Sequence, residues 1–289
     1  MTRVVITGAS GFVGGRLLEE LNSRAQVTGT RYRHAVPGLD AVDLADDAAA
    51  HSFFRARRPE AVINCAALAD PDVCEKDSTR ARRLNTWMPA LMGRLCAENG
   101  ARLIHLSTDL VFDGKGKSGG YSEDDEALPL SEYGRSKLDG ERALLADCPD
   151  AAIVRVSLVY GRARSGRPSF LDWLLGEIGA GRRAKLFTDQ WRTPTPVSQL
   201  SEVMARLIET PKIAGVFHWG GADRVSRMDF GRAACRIFGL PETSLEPVSM
   251  ADFAYAAARP ADCALRCDKL SQAIGLTPLS LEAGLSAER

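Results

Sequence analysis

A short apolar run, R-V-V-I-T (residues 3–7), passes without a spacer into T-G-A-S-G-F-V-G (7–14) and a stretch with helical spacing (11–24). A strand that turns through glycines straight into a helix opens a βαβ unit. Gly8, Gly11 and Gly14 stand three residues apart. Glycine serves a tight turn, close backbone approach to a bound group, and close helix–strand packing. The helix N-terminus that follows offers N–H groups and partial positive charge to phosphate. A ligand-free turn also tolerates glycine. Its place directly after an N-terminal strand points instead to a dinucleotide pyrophosphate, held by Gly8, Ser10, Gly11, Phe12, Val13 and Gly14.

The alternation continues. Strands are expected at 26–30, 61–65, 102–107 and 151–157, and helices at 44–57, 79–99 and 131–147, with Asp43 as the N-cap of the first. This predicts an α/β fold: a Rossmann-type, doubly wound parallel sheet with helices on both faces. After residue 160 prolines interrupt the pattern. Helices are expected near 169–180, 198–209, 228–239 and 268–274, with short strands at 184–188, 215–219 and 245–248. The expected organisation is a nucleotide-binding domain with the catalytic residues over 1–160. A smaller C-terminal α/β substrate lobe over 161–289 interleaves with the end of the sheet.

Composition excludes several classes. Lys plus Arg and Asp plus Glu both number 37, so nothing marks a nucleic-acid binder. No apolar run is long enough to cross a bilayer, and no signal peptide precedes the first strand. Seven cysteines, without a C-x-x-C pair, read as reduced thiols of a cytoplasmic protein. Cys263 and Cys267 have no histidine near them, and the four histidines are scattered, so no metal site is expected.

An NAD site carries an acid at the end of the second strand to bond the ribose hydroxyls. Here the segment is T-G-T-R-Y-R, with Arg31 and Arg33 in that place. A guanidinium forks onto a 2′-phosphate that a carboxylate would repel, so the expected cofactor is NADP(H). Two solvated arginines would give the same letters. Asp43 and Leu44 are placed to meet the adenine. Cys65, Ala66 and Ala67, in N-C-A-A, end the third strand with small residues that let backbone lie along the cofactor.

Tyr133 and Lys137 form Y-x-x-x-K on one face of an expected helix. A nearby ammonium favours the phenolate and suits the tyrosine to proton exchange with a carbonyl or alcohol. Ser107 and Thr108 end the fourth strand, where ligands bind in open α/β sheets. Asn85 is expected near the lysine, and Ser157 closes the fifth strand beside the cofactor. Trp191, Arg192 and Arg259 are candidate contacts to a nucleotide diphosphate, with core aromatic and structural ion pair as the alternatives.

The ordered set T-G-x-x-G-x-x-G, N-x-A-A, a helical Asn, S-T-D and Y-x-x-x-K resembles the extended short-chain dehydrogenase/reductase family. I-N-C-A-A, L-S-T-D-L-V-F-D-G, Y-G-R-S-K-L-D-G-E, D-Q-W-R-T-P-T and R-P-A-D-C-A-L are similar to its dTDP-4-dehydrorhamnose reductase branch. They are also similar to the regulatory β subunit of methionine adenosyltransferase, which shares G-V-F-H-W-G-G as well. The resemblance implies that Thr108 orients a substrate carbonyl and Tyr133 donates the proton. It implies that Lys137 holds the nicotinamide ribose and lowers the tyrosine pKa. The implied reaction is hydride transfer from NADPH to the keto group of a nucleotide-linked 4-keto-6-deoxy sugar. The alternatives are a non-catalytic NADP(H)-binding regulatory subunit, or another reductase or epimerase of the same family. Related dehydratases carry S-T-D-E; Leu110 stands in place of that Glu, which disfavours dehydration. The expected partner is the small-molecule substrate, with no nucleic acid or membrane, and dimerisation of the chain is left open.

Overall fold

In the computed structural model, which describes residues 1–32, 35–117, 119–164 and 166–289, six strands build the sheet that carries the site. They are β1 (Arg3–Thr7), β2 (Gln26–Arg31), β3 (Asp40–Ala41), β4 (Ala61–Asn64), β5 (Arg102–Thr108) and β6 (Ala152–Val156). A seventh strand, Gly215–Trp219, adds to the β6 edge. The order across the sheet is Gly215–Trp219, β6, β5, β4, β1, β2, β3, and every neighbouring pair is parallel. The fold is therefore the Rossmann-type α/β arrangement. The chain reverses its direction of travel between β1 and β4, which opens a crevice at their carboxyl ends.

Burial on both faces explains the near-continuous apolar strands. Val4, Ile6, Ile63 and Ile104 pack on one face with Leu17 of helix α1 (Phe12–Leu21) and with Leu200 and Val203. Val5, Val62, Leu103 and Ile153 pack on the other with Phe54, Leu91 and Leu95. The second face is covered by α2 (Asp47–Arg57), α5 (Met88–Asn99) and α6 (Glu132–Asp147). Two shorter helices, α3 (Pro71–Lys76) and α4 (Ser78–Arg82), precede α5. A π-helical turn, Arg83–Trp87, joins α4 to α5, and Gly100 in a left-handed conformation ends the run.

The sequence misplaces the start of α2. Asp46, not Asp43, is the N-cap, accepting from the Ala49 amide at 2.8 Å. Asp43 instead closes a local turn by accepting from the Ala45 amide at 3.0 Å. Two aspartates three apart satisfy the same capping rule, and only the turn geometry separates them.

Beyond β6 the chain forms α7 (Phe170–Gly179), α8 (Val197–Glu209), α9 (Arg227–Phe238), α10 (Asp268–Ile274) and α11 (Leu281–Ala287). Short ladders join Val159–Tyr160 to Thr195–Pro196, Trp191–Arg192 to Val225–Ser226, and Ala184–Phe187 to Leu245–Val248. Leu171, Leu186, Phe230 and Leu285 pack there in a separate core. Among the described residues no helix is long and apolar enough to cross a membrane.

Candidate active site

The glycine loop lies at the β1/β4 crevice. Gly8 has φ +66°, and a Cβ there would stand 2.9 Å from Ala66 Cα. A Cβ on Gly14 would stand 2.5 Å from the Gly8 carbonyl oxygen. Both contacts are with backbone, so neither position accepts a side chain without moving the loop. Gly11 is the N-cap of α1 and has no side chain to cap it, and the first turn, with Phe12, Val13 and Gly14, lies at the crevice end of the sheet. Ser10 completes the turn. Across the crevice the Ala66 amide donates to Thr7 Oγ1 at 3.1 Å, which fixes Cys65, Ala66 and Ala67 beside the loop.

Arg31 ends β2, and its buried Nε has no hydrogen-bond partner among the described residues. Arg33 lies outside the described residues. Leu44 is buried, and Asp43 pairs with Arg83 at 3.4 Å.

Helix α6 carries Tyr133, Lys137 and Glu141 on one buried face. Ser131 caps it, and its approach to the sheet depends on Gly134, whose missing Cβ leaves room for the Leu110 carbonyl. Tyr133 faces Thr108, the last residue of β5, whose hydroxyl pulls the phenol's pKa down. Thr108 Oγ1 also receives the Leu110 amide at 3.1 Å and bonds Asp109 Oδ1 at 3.2 Å. Lys137 Nζ donates to the Leu106 carbonyl at 2.7 Å and lies 3.0 Å from His105 Nε2.

Burial is the largest influence on both titrating groups. It pushes the Tyr133 phenol well above its ordinary value, against a smaller downward pull from Thr108. It lowers Lys137 to about 8, opposed by Glu141 and Cys65. The phenol therefore keeps its proton at neutral pH. Desolvation is the dominant influence on the phenol, and Lys137 is not among the groups that shift it in the cofactor-free chain.

Other predicted residues stand behind the reacting groups. Asn85, in the π-helical turn, accepts from the Leu68 amide at 2.8 Å and donates to the Leu68 carbonyl and to Ser136 Oγ, each at 3.1 Å. It ties the exit of β4 to α6. Ser107 bonds Glu141, which forms an ion pair with Arg155 at 2.7 Å. Ser157 donates to Asp109 Oδ2 at 2.9 Å.

Arg192 is buried. Its Nε lies 3.2 Å from Asp109 Oδ2, and its other nitrogens bond the carbonyls of Trp191, Pro260 and Ala261. That pair holds the Trp191–Arg192 strand and the Pro260–Ala261 backbone beside Asp109. Trp191 is stacked under Arg224, 4.9 Å from its ring centroid. Arg259 holds Asp72 at 2.7 Å and covers Tyr255, while its buried Nη1 has no partner among the described residues.

Sequence reasoning missed Arg227. It opens α9, stacks on Phe170 at 4.7 Å and donates to Gln190, yet its buried Nη1 also lacks a partner among the described residues. Burial, with Arg192 as the next cause, lowers it to about 9. The S-R-M-D letters announce only a helix start, and nothing in them places the arginine beside Asp109 and Tyr255.

A model of the RmlD substrate binding domain matches residues 1–287. The chain belongs to that family. Over 288 aligned residues the RmlD-family chain is 34% identical to the probable low-salt glycan biosynthesis reductase Agl14 of Haloferax volcanii, covering 98% of this chain and 95% of that one. It is 33% identical to methionine adenosyltransferase 2 subunit beta of Rattus norvegicus, covering 93% and 81%. Among solved structures it superposes with a TM-score of 0.90 on dTDP-4-dehydrorhamnose reductase from Bacillus anthracis in complex with NADP. That match has 27% identity and covers 100% of this chain and 99% of the other. The glycine loop and the Thr108–Tyr133–Lys137 group of this RmlD-family member thus belong to a chain similar both to reductases and to a methionine adenosyltransferase subunit.

Proposed function

We propose that this chain is an NADPH-dependent reductase of a keto group, acting on a nucleotide-linked 4-keto-6-deoxy sugar. The observation that carries the reading is the buried Thr108–Tyr133–Lys137 group at the carboxyl end of β5, with its phenol kept protonated. Reduction needs a proton donor in that state. The residues at the crevice fit a dinucleotide: Gly8 and Gly14 let the loop pack tightly against the end of β4 and the start of α1, as a pyrophosphate loop requires, and the Arg31 Nε, without a partner among the described residues, suits a 2′-phosphate. A dihydronicotinamide, when bound, supplies the hydride. Thr108 positions the keto oxygen, Tyr133 delivers its proton to that oxygen as negative charge develops, and Lys137 holds the ribose. In this reading residues 1–160 bind cofactor and hold the reacting groups, and residues 161–289 bind substrate. The unpartnered nitrogens of Arg227 and Arg259 beside Tyr255 suit the anionic part of a nucleotide sugar. With Asp109 spent on Arg192 and no acid at position 110, dehydration chemistry lacks its groups.

The test is NADPH oxidation against a panel of nucleotide-linked keto sugars. Turnover of at least one supports the reading, and none across the panel overturns it. The likeness to the methionine adenosyltransferase subunit supports a second reading, an NADP(H)-binding subunit without turnover. That reading expects no oxidation and co-purification with a synthetase.

Cofactor choice is tested at Arg31. Loss of a charge-assisted bond to a 2′-phosphate costs roughly 1.5–3 kcal/mol, or about 10–150-fold in affinity. Titration calorimetry of Arg31→Ala should show NADPH weakened by that factor and NADH unchanged within a few-fold. Equal weakening of both would assign Arg31 a structural role.

A further inference from the structure

Strand register lines up Thr7 of β1, Asn64 of β4 and His105 of β5 as direct neighbours across the sheet, in one row on the face covered by α6. The row before it on the same face is Val5, Val62 and Leu103. Three polar residues replace apolar ones in the next row, and all three are completely buried. Burial without partners would cost each of them heavily. Instead they form one string. Thr7 Oγ1 donates to Asn64 Oδ1 at 2.6 Å, and Asn64 Nδ2 lies 3.0 Å from His105 Nδ1. His105 Nε2 lies 3.0 Å from Lys137 Nζ. The far end, Thr7, holds the Ala66 amide beside the glycine loop.

The proton count along this string is restrictive. Burial, reinforced by Lys137, holds His105 neutral, so its ring carries one N–H. An Asn64 N–H facing Nδ1 donates to it. That puts the ring proton on Nε2 and requires Lys137 to accept it as a neutral amine. A charged Lys137 donates to Nε2 instead, which moves the ring proton to Nδ1. The Asn64 amide must then turn over so that its oxygen receives that proton, giving up the bonds its Oδ1 accepts from Thr7 Oγ1 and, at 3.3 Å, from the Ala66 amide. The charge of Lys137, the tautomer of His105 and the rotation of Asn64 are therefore one variable. The titratable groups facing Nζ are His105 from β5, Cys65 from the end of β4 and Glu141 from its own helix, which Arg155 of β6 already holds.

We propose that His105, backed by Asn64, is a positioning residue for Lys137. The row fixes the amine at the crevice and lets it gain or lose a proton by tautomer change and amide rotation, without leaving its place. The role given to the lysine rests on the reductase reading; the coupling itself does not.

The test follows Lys137 directly in the cofactor-free protein. The chain carries few lysines. With lysine ε-carbons labelled with carbon-13, the resonance absent from Lys137→Arg identifies Lys137, expected to titrate near 8. Hydrogen bonds to charged groups are the stronger ones, so His105→Leu removes more support from the ammonium than from the amine. Its midpoint should fall by about one pH unit or more. His105→Gln, whose amide can accept or donate by turning over, should bring the midpoint back to within about half a unit of wild type. Should His105→Leu fail to fold, Asn64→Leu makes the same test. An orphaned Nδ1–H is costlier than an orphaned lone pair, so it too should lower the midpoint. An unchanged or raised midpoint in the leucine variant, or an equal fall in His105→Gln, overturns the proposal. Absence of keto-sugar turnover would sink the reductase reading and leave these titration results standing.

Discussion

Tyr133→Phe should abolish most keto-sugar reduction, by roughly 10²–10⁴-fold in kcat, while NADPH binding stays within a few-fold of wild type. The substitution removes one oxygen and keeps the ring that packs with Cys74 and Ala81. Any hydrogen bond lost with that hydroxyl costs about 1 kcal/mol, small for a chain of this size. Any deeper loss must therefore come from the reaction. Because burial keeps the phenol protonated, the wild-type rate should also hold across neutral pH without a limb from this group. Steady-state NADPH oxidation by both proteins, with calorimetric cofactor titration, checks the expectation. Rates that agree within a few-fold would remove Tyr133 from the chemistry and favour the subunit without turnover.

Much of this site was legible because it follows local rules. The glycine loop announces itself by spacing, and Y-x-x-x-K puts Tyr133 and Lys137 on one face of α6 through helical periodicity alone. The alternation of strands and helices implied a parallel sheet, and β1, β4, β5 and β6 lie within a residue or two of their predicted bounds. What stayed hidden depends on register and on distant partners. His105 read as one scattered histidine, because only the pairing of β5 with β4 sets it beside Asn64. Ser107 and Ser157 read as cleft hydroxyls, and their bonds to Glu141 and Asp109 depend on partners far along the chain that no local pattern reveals. Arg192 read either as a diphosphate contact or as a structural ion pair, and only the fold, which sets it against the distant Asp109 carboxylate, shows the ion pair. Helices α3 and α11 are too short for periodicity to register.

The second large effect is expected at Asp109. Its carboxylate is buried with Arg192 and accepts from Ser157 and Thr108, and burial raises its pKa against the pull of Arg192. Removing one member of a buried pair leaves the other charge uncompensated, at a cost of about 3–5 kcal/mol. Asp109→Ala should therefore lower Tm by about 5–10 °C for a chain of this length. The carbonyls of Trp191, Pro260 and Ala261 keep Arg192 partly satisfied, which favours the lower half of that range. Asp109→Ala with Arg192→Met removes both charges and refills part of the space, so the double variant should lose less stability than the two single losses combined. Activity should follow a different order. Thr108 loses its Asp109 bond in both proteins, and the Trp191–Arg192 strand loses its anchor, so turnover should stay depressed in the double variant after stability recovers. Thermal unfolding of the wild type, both single variants and the double variant, alongside their kcat values, separates the two effects. Additive stability losses would mean that Asp109 and Arg192 are not coupled. Full return of activity with stability would mean that the pair does no more than hold the fold.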